Sequence, residues 1–181
     1  TRLARTFVQT GQLDYERQYH TVLDIRNGKT VRPQDYHLIY WDLVDPVNPQ
    51  KPRADTSQAI PLQTLMEQAG FTAQELALVK EAEAKSNVLA ATEADAMNMV
   101  KGRFKDADGN YARLDVPKFE EARQMLYGPQ YIQAKAAVMK PLEDFFKLME
   151  QRLGTAAQAA QKAQDNAQLL FLGLMALTMG L

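Results

Sequence analysis

"FTAQELALVKEAEAKSNVLAATEADAMNMVKG", residues 71–102, is the stretch whose reading decides the fold. Thr72 and Glu75 stand at the spacing of a capping box, in which the threonine hydroxyl takes the amide three residues on and the glutamate reaches back. Nothing between Ala73 and Val100 breaks a helix, so the pattern predicts one long helix closed by Gly102 and "KDADGN". Just upstream, "PLQTLMEQAGF" predicts a short helix ended by Gly70, where a C-terminal cap prefers glycine. "DADGN" has the opening of a calcium loop, but no glutamate follows at the spacing of the bidentate ligand, and a plain turn is predicted.

Downstream, a short helix is expected over Lys118 to Leu126, and from Pro129 no stop signal appears. Pro141 is expected to kink this last helix or mark a junction in it, and Gly154 to weaken it. Val138, Leu142, Phe145, Met149, Leu153 and Ala156 step by three and four, the stripe of a bundle helix. A helix from 129 to 181 would be about 80 Å long, more than a compact domain of this size requires. Upstream, Leu3, Phe7, Tyr15, Tyr19 and Val22 predict a single helix from Thr1 to Asn27, stopped at Gly28. "DYHLIYWDLV" after Pro33 predicts a short aromatic helix, and residues 45–58, with three prolines, a loop. The expected architecture is all-α, an elongated up-and-down bundle of about four helices with short extra helices. The turns at 27–33, 101–117 and 127–129 would then share one end, and both termini the other.

The composition narrows the function classes. A chain of 181 residues, 46% hydrophobic and 24% charged, is long enough for one domain with its own core. With 21 Lys and Arg against 22 Asp and Glu, the net charge of −1 supplies no field to attract nucleic acid. The chain has no cysteine, so disulfides and thiolate chemistry are excluded, and its 2 histidines, His20 and His37, argue against a histidine-rich metal site. No nucleophile–base pair or phosphate loop appears, so neither catalysis nor a cofactor is expected.

The chain ends in an uncharged apolar run, Leu169 to Leu181, after its last charge at Asp165. A bilayer span needs about 20 apolar residues, and this run is shorter. Gly173, Ala176 and Gly180 are nevertheless small residues of the kind that membrane helices use. The reading is that 1–165 form an extramembrane domain and 166–181 the truncated start of a transmembrane helix.

The segments "LARTFVQTGQLDYERQYHTVLDIRNGK", "YWDLV", "PLQTLMEQAGFTAQELALVKEAEAKSNVLAATEADAMNMVKG" and "KAAVMKPLEDFFKLMEQR" resemble the extracytoplasmic sensor region of bacterial methyl-accepting chemotaxis proteins. The resemblance covers most of the chain. It implies a periplasmic helical-bundle domain anchored in the bacterial inner membrane, with the apolar run as the second membrane helix. It also implies a homodimer that reports a small organic acid or amino acid to a cytoplasmic output, as a chemotaxis transducer. Related sensor regions sit on histidine kinases and cyclases. The alternative is a helical spacer, dimerisation or protein-interaction module of such a sensor that binds no small solute.

Within that frame the turn end is expected to gather Arg26, Lys29, Arg32, Lys101 and Arg103, and a carboxylate ligand would relieve their mutual repulsion. Tyr36, Tyr40 and Trp41 could wall a pocket, and Asn98, set among Met97, Met99 and Val100, could bond a ligand. The expected ligand site is therefore Arg26, Tyr36, Tyr40, Trp41, Asn98 and Lys101. The competing reading makes the cations solvated helix ends and the aromatics core residues. Ala82, Ser86, Ala90, Ala91, Thr92 and Ala96 would let the middle helix pack closely and slide.

Overall fold

The computed structural model describes residues 2–44 and 50–179, with side chains up to Leu169. The fold is all-α. Six helices occur among the described residues: α1 (Arg2–Thr10), α2 (Leu13–Arg26), α3 (Leu62–Gln68), α4 (Ala73–Val100), α5 (Phe119–Tyr127) and α6 (Pro129–Met179). Between α4 and α5 lies a small antiparallel hairpin, β1 (Arg103–Phe104) and β2 (Arg113–Leu114), pairing Arg103 with Leu114 and Phe104 with Arg113.

The α3–α4 junction forms as its local chemistry dictates. Gly70 takes φ +78°, the Thr72 hydroxyl accepts from the Glu75 amide at 3.2 Å, and the Glu75 carboxylate accepts from the Thr72 amide at 2.7 Å. "DADGN" is a turn: Asp106 Oδ1 accepts from the amides of Asp108 and Asn110, and Gly109 supplies φ +82°.

The first 27 residues depart from the expected single helix. Gly11, at φ +71°, donates its amide to Phe7 and ends α1, and α2 packs back against α1 as a helical hairpin. The apolar periodicity continues across the break because both helices face one core. That core joins Leu3, Ala4, Phe7 and Val8 of α1, Tyr19 of α2, Leu89, Ala96, Met97 and Val100 of α4, Ala122 and Leu126 of α5, and Tyr131 of α6. It sits around the C-terminal half of α4.

The hairpin also overturns the expected grouping of turns. Glu16, near the start of α2, meets Lys101 at the end of α4, whereas Arg26, at the end of α2, bonds Ser86 and Asn87 in the middle of α4. The turn after Asn27 therefore lies far from the 101–117 turn. "DYHLIYWDLV" is not a helix either. Asp35 adopts φ +51°, and the chain makes successive turns closed by Leu38 N–H to Asp35 O and Leu43 N–H to Tyr40 O. This long connection is pinched at its stem, where Gln34 bonds Ala54 and Thr56 bonds Arg32. At its base Gly28, φ +69°, abuts Pro61 so closely that a Cβ would lie 2.4 Å from the proline nitrogen.

α4 and α6 run antiparallel as the most extensive helix pair, tied by Tyr131 to Glu93 near one end and Arg152 to Glu75 at the other. Ala82 and Ala96 are buried on α4, whereas Ala91 is exposed. Helix α6 continues through Pro141 without the expected junction. The carbonyl that Pro141 leaves without an amide belongs to Ala137, an exposed residue whose backbone water can reach. The single stripe expected on α6 resolves into two faces. Tyr131, Pro141 and Phe145 are buried, while Ile132, Met139, Phe146 and Leu153 are exposed. From Glu150 through Leu169 every side chain is exposed, so α6 projects beyond the body. Of the apolar run, the backbone is helical to Met179; its side chains after Leu169, and all of Gly180 and Leu181, lie outside the described residues. Among the described residues no helix is long and apolar enough to cross a membrane.

Candidate functional site

Arg26 closes α2 and projects toward α4. Its guanidinium donates to Asn27 Oδ1 at 3.1 Å, Ser86 Oγ at 3.3 Å and Asn87 Oδ1 at 2.6 Å. Among the described residues every one of these acceptors is neutral, so its charge is held in place without being cancelled. Beside it opens a cleft of about 200 Å³ lined by Arg26, Asn27, Pro61, Leu62, Val79 and Glu83. Pro61, which lines this cleft, abuts Gly28, where only a glycine lets the two ends of the 29–61 connection meet so closely. A cation and a carboxylate in one small apolar-walled space match a solute that carries both signs, or a carboxylate alone on the Arg26 side.

The other expected site residues do not join it. Lys101 lies 14 positions beyond Asn87, about 21 Å along α4, and its ammonium is 2.5 Å from Glu16. Asn98 folds back on its own helix, donating to Ala94 O at 2.9 Å. The expected basic cluster is not assembled, because the α1–α2 hairpin sends the end of α2 toward the opposite half of α4 from Lys101 and Arg103.

Tyr36, Tyr40 and Trp41 do come together, with ring centroids 5.1–6.3 Å apart in edge-on pairs. The Trp41 indole donates to Tyr36 Oη at 2.6 Å, and Tyr40 is 6% exposed. The Arg32 guanidinium sits 5.6 Å from the Tyr36 ring. With the rings packed edge-on and the Trp41 indole bonded to Tyr36, these residues are the small core of the connection rather than a pocket wall.

A polar group that the sequence reading missed lies inside the bundle. Glu93 is 3% exposed and accepts a hydrogen bond from the Tyr131 hydroxyl. Tyr19 lies against the same carboxylate; burial first, then Glu93, raises its pKa and that of Tyr131, so both phenols keep their protons through the neutral range. Arg5 stacks 4.8 Å from the Tyr131 ring and donates to Leu126 O at 2.9 Å. The signal was present: Glu93 occupies the buried phase of α4, four after Leu89 and three before Ala96. At the other end Glu75, 0% exposed, is held below the usual carboxylate range by the Thr72 amide and, more weakly, by Arg152. Among the described residues no three His, Asp or Glu side chains gather as a metal site. No protein-family model matches the chain, and neither a curated protein nor a solved structure does.

Proposed function

We propose that the chain is the extracytoplasmic ligand-binding domain of a transmembrane chemoreceptor, facing the periplasm from the bacterial inner membrane. It senses a small organic carboxylate, and the presence of both Arg26 and Glu83 in the lining of one cleft favours an amino acid over a plain acid. The observation that carries this reading is the coupling of that cleft to one continuous helix. Arg26 of α2 holds α4 through Ser86 and Asn87 beside Glu83 of α4 itself, α4 is tied to α6, and α6 leaves the body toward the apolar end of the sequence. A solute that draws Arg26 off Ser86 and Asn87 would change the α2–α4 contact and shift α6 against α4. No catalytic step is involved.

Calorimetric titration of the chain against a panel of amino acids and short carboxylic acids tests this. A binder is expected whose affinity falls about 10- to 100-fold in Arg26→Ala, the worth of a hydrogen bond to a charged group. A binder indifferent to Arg26→Ala refutes the site, and no binder in the panel refutes the ligand class. The exposed apolar row on α6 favours a second reading, a helical spacer or dimerisation module that binds no solute. A thermal-shift screen separates the two, because a ligand of the folded state raises Tm with its occupancy and a spacer responds to none.

A further inference from the structure

We infer that the cavity where α4, α5 and α6 meet is a second binding site, made for an uncharged organic solute with an apolar body and one amide, carbonyl or hydroxyl group. It measures about 540 Å³, against about 200 Å³ for the cleft beside Arg26, and pockets for small organic molecules occupy roughly 300–1,000 Å³. Its apolar walls come from three helices: Leu89 of α4, Met125 of α5, and Pro129 and Ala134 of α6. The Met125 thioether is flexible enough to follow the outline of a ring. Tyr131 lines the cavity too, with its hydroxyl already donated to Glu93 and Arg5 stacked on its ring.

The backbone fixes this space in advance. One residue, Gly128, separates the end of α5 at Tyr127 from the start of α6 at Pro129. A Cβ on Gly128 would lie 2.6 Å from the Gln124 carbonyl oxygen, so only glycine joins the two helices this abruptly. The Gly128 amide donates to Gln124 O at 2.8 Å, and the Ile132 amide to Gly128 O at 3.2 Å. The cavity's span is short, residues 129–134 along α6 and 89–92 along α4, about 8 Å and 5 Å. That suits a compact solute and leaves no room to seat a helix.

The lining selects against charge. None of its side chains is ionisable at neutral pH, so an ion drawn in would shed water without gaining a counter-charge. Of its polar side chains, Thr92 turns back on Val88 O at 3.5 Å. Gln124 and Gln130, exposed at the rim, have side-chain amides with no partner among the described residues, and each offers donors and an acceptor. Along α4 the site lies about 14 Å from the carboxylate cleft at Val79 and Glu83, and it does not rest on the sensor reading.

The test titrates the whole chain, isotope-labelled at its methionine methyls, with benzamide, cinnamamide and naphthylacetamide and with the three matching acids. At least one amide is expected to move the Met125 methyl resonance, assigned through Met125→Leu, to saturation and to raise Tm with its concentration. The matching acid should bind there at least about 10-fold more weakly, for want of a counter-charge. Loss of both rim amides in Gln124→Ala with Gln130→Ala should weaken the amide about 2- to 10-fold. Ala134→Phe, which fills the cavity, should abolish binding, and Thr92→Phe fills it from the α4 side if the first variant does not fold. No saturable shift at Met125, or binding that survives a folded filled variant, overturns the site. An acid bound as tightly as its amide, or affinity indifferent to the paired glutamine change, overturns the solute class. Amide binding unaltered in Arg26→Ala is expected, and its loss there overturns the separateness of the two sites. The two proposals fail apart, since a carboxylate that binds beside Arg26 while every amide is refused defeats only this one.

Discussion

Removing one hydroxyl from the bundle interior has a cost that the geometry fixes. Tyr131→Phe deletes the donor to Glu93, in a place where carboxylate and ring are 3% and 2% exposed and water cannot stand in. A hydrogen bond to a charged group contributes about 1.5–3 kcal/mol, and leaving that group short of a donor forfeits it. At about 2–4 °C per kcal/mol for a chain of this size, Tm should fall by roughly 3–12 °C. Urea unfolding followed by circular dichroism reads the change as a lower midpoint at unchanged slope. Tyr127→Phe, 48% exposed, is the control and should stay within about 0.5 kcal/mol of wild type. The decisive measurement is the cycle with Glu93→Leu. With both polar partners gone no charge is stranded, so the double variant should be more stable than the sum of the single losses by about 1–2 kcal/mol. Additive losses, or a Tyr131→Phe midpoint equal to wild type, would refute a buried carboxylate held by that phenol.

Other outcomes follow from the same structure. Gly28→Ala forces a side chain into φ +69° against Pro61. It should cost at least about 1–2 kcal/mol and raise proteolytic cutting within 29–61, so an uncut, equally stable variant would contradict the pinched base. The folded-state pKa of Glu75 is depressed, so its stabilisation is present above the ordinary carboxylate range and is lost as pH falls through the lower folded value. The Tm gap between wild type and Glu75→Gln should therefore narrow on acidification from neutral pH; a constant gap would mean that the charge on Glu75 contributes nothing. Arg152→Ala should lower that same gap at neutral pH by removing one partner of the carboxylate, and an unchanged gap would separate the two residues energetically.

Where structure followed from chemistry within a few residues, the sequence was readable. The capping box at Thr72 and the glycine at 70 delimit α3 and α4 because the amides they satisfy are local. The hairpin at Gly11 was missed because the apolar phase is nearly continuous from Phe7 to Tyr15, and a glycine that tilts a helix looks like one that ends it. That one turn moved Arg26 away from Lys101 and dissolved the expected basic cluster, since a site drawn from several helices inherits every error in their connections. "DYHLIYWDLV" has helical spacing but packs its rings on one another, and packing of that kind leaves no periodic signature. On α6 one stripe was read where there are two, because inward and outward rows both repeat at three and four.

The bond between Arg152 and Glu75 sits at the last turn where α6 touches the body, and Glu75 is itself locked by the first turn of α4. Mechanically this is a fulcrum. From Arg152 to Met179 the helix forms an arm of about 40 Å, so a pivot of about 3° at the fulcrum swings its far tip by roughly 2 Å. Displacements too small to disturb the packed core are magnified by the leverage of an unbroken rod whose outermost hold on the body is a single guanidinium.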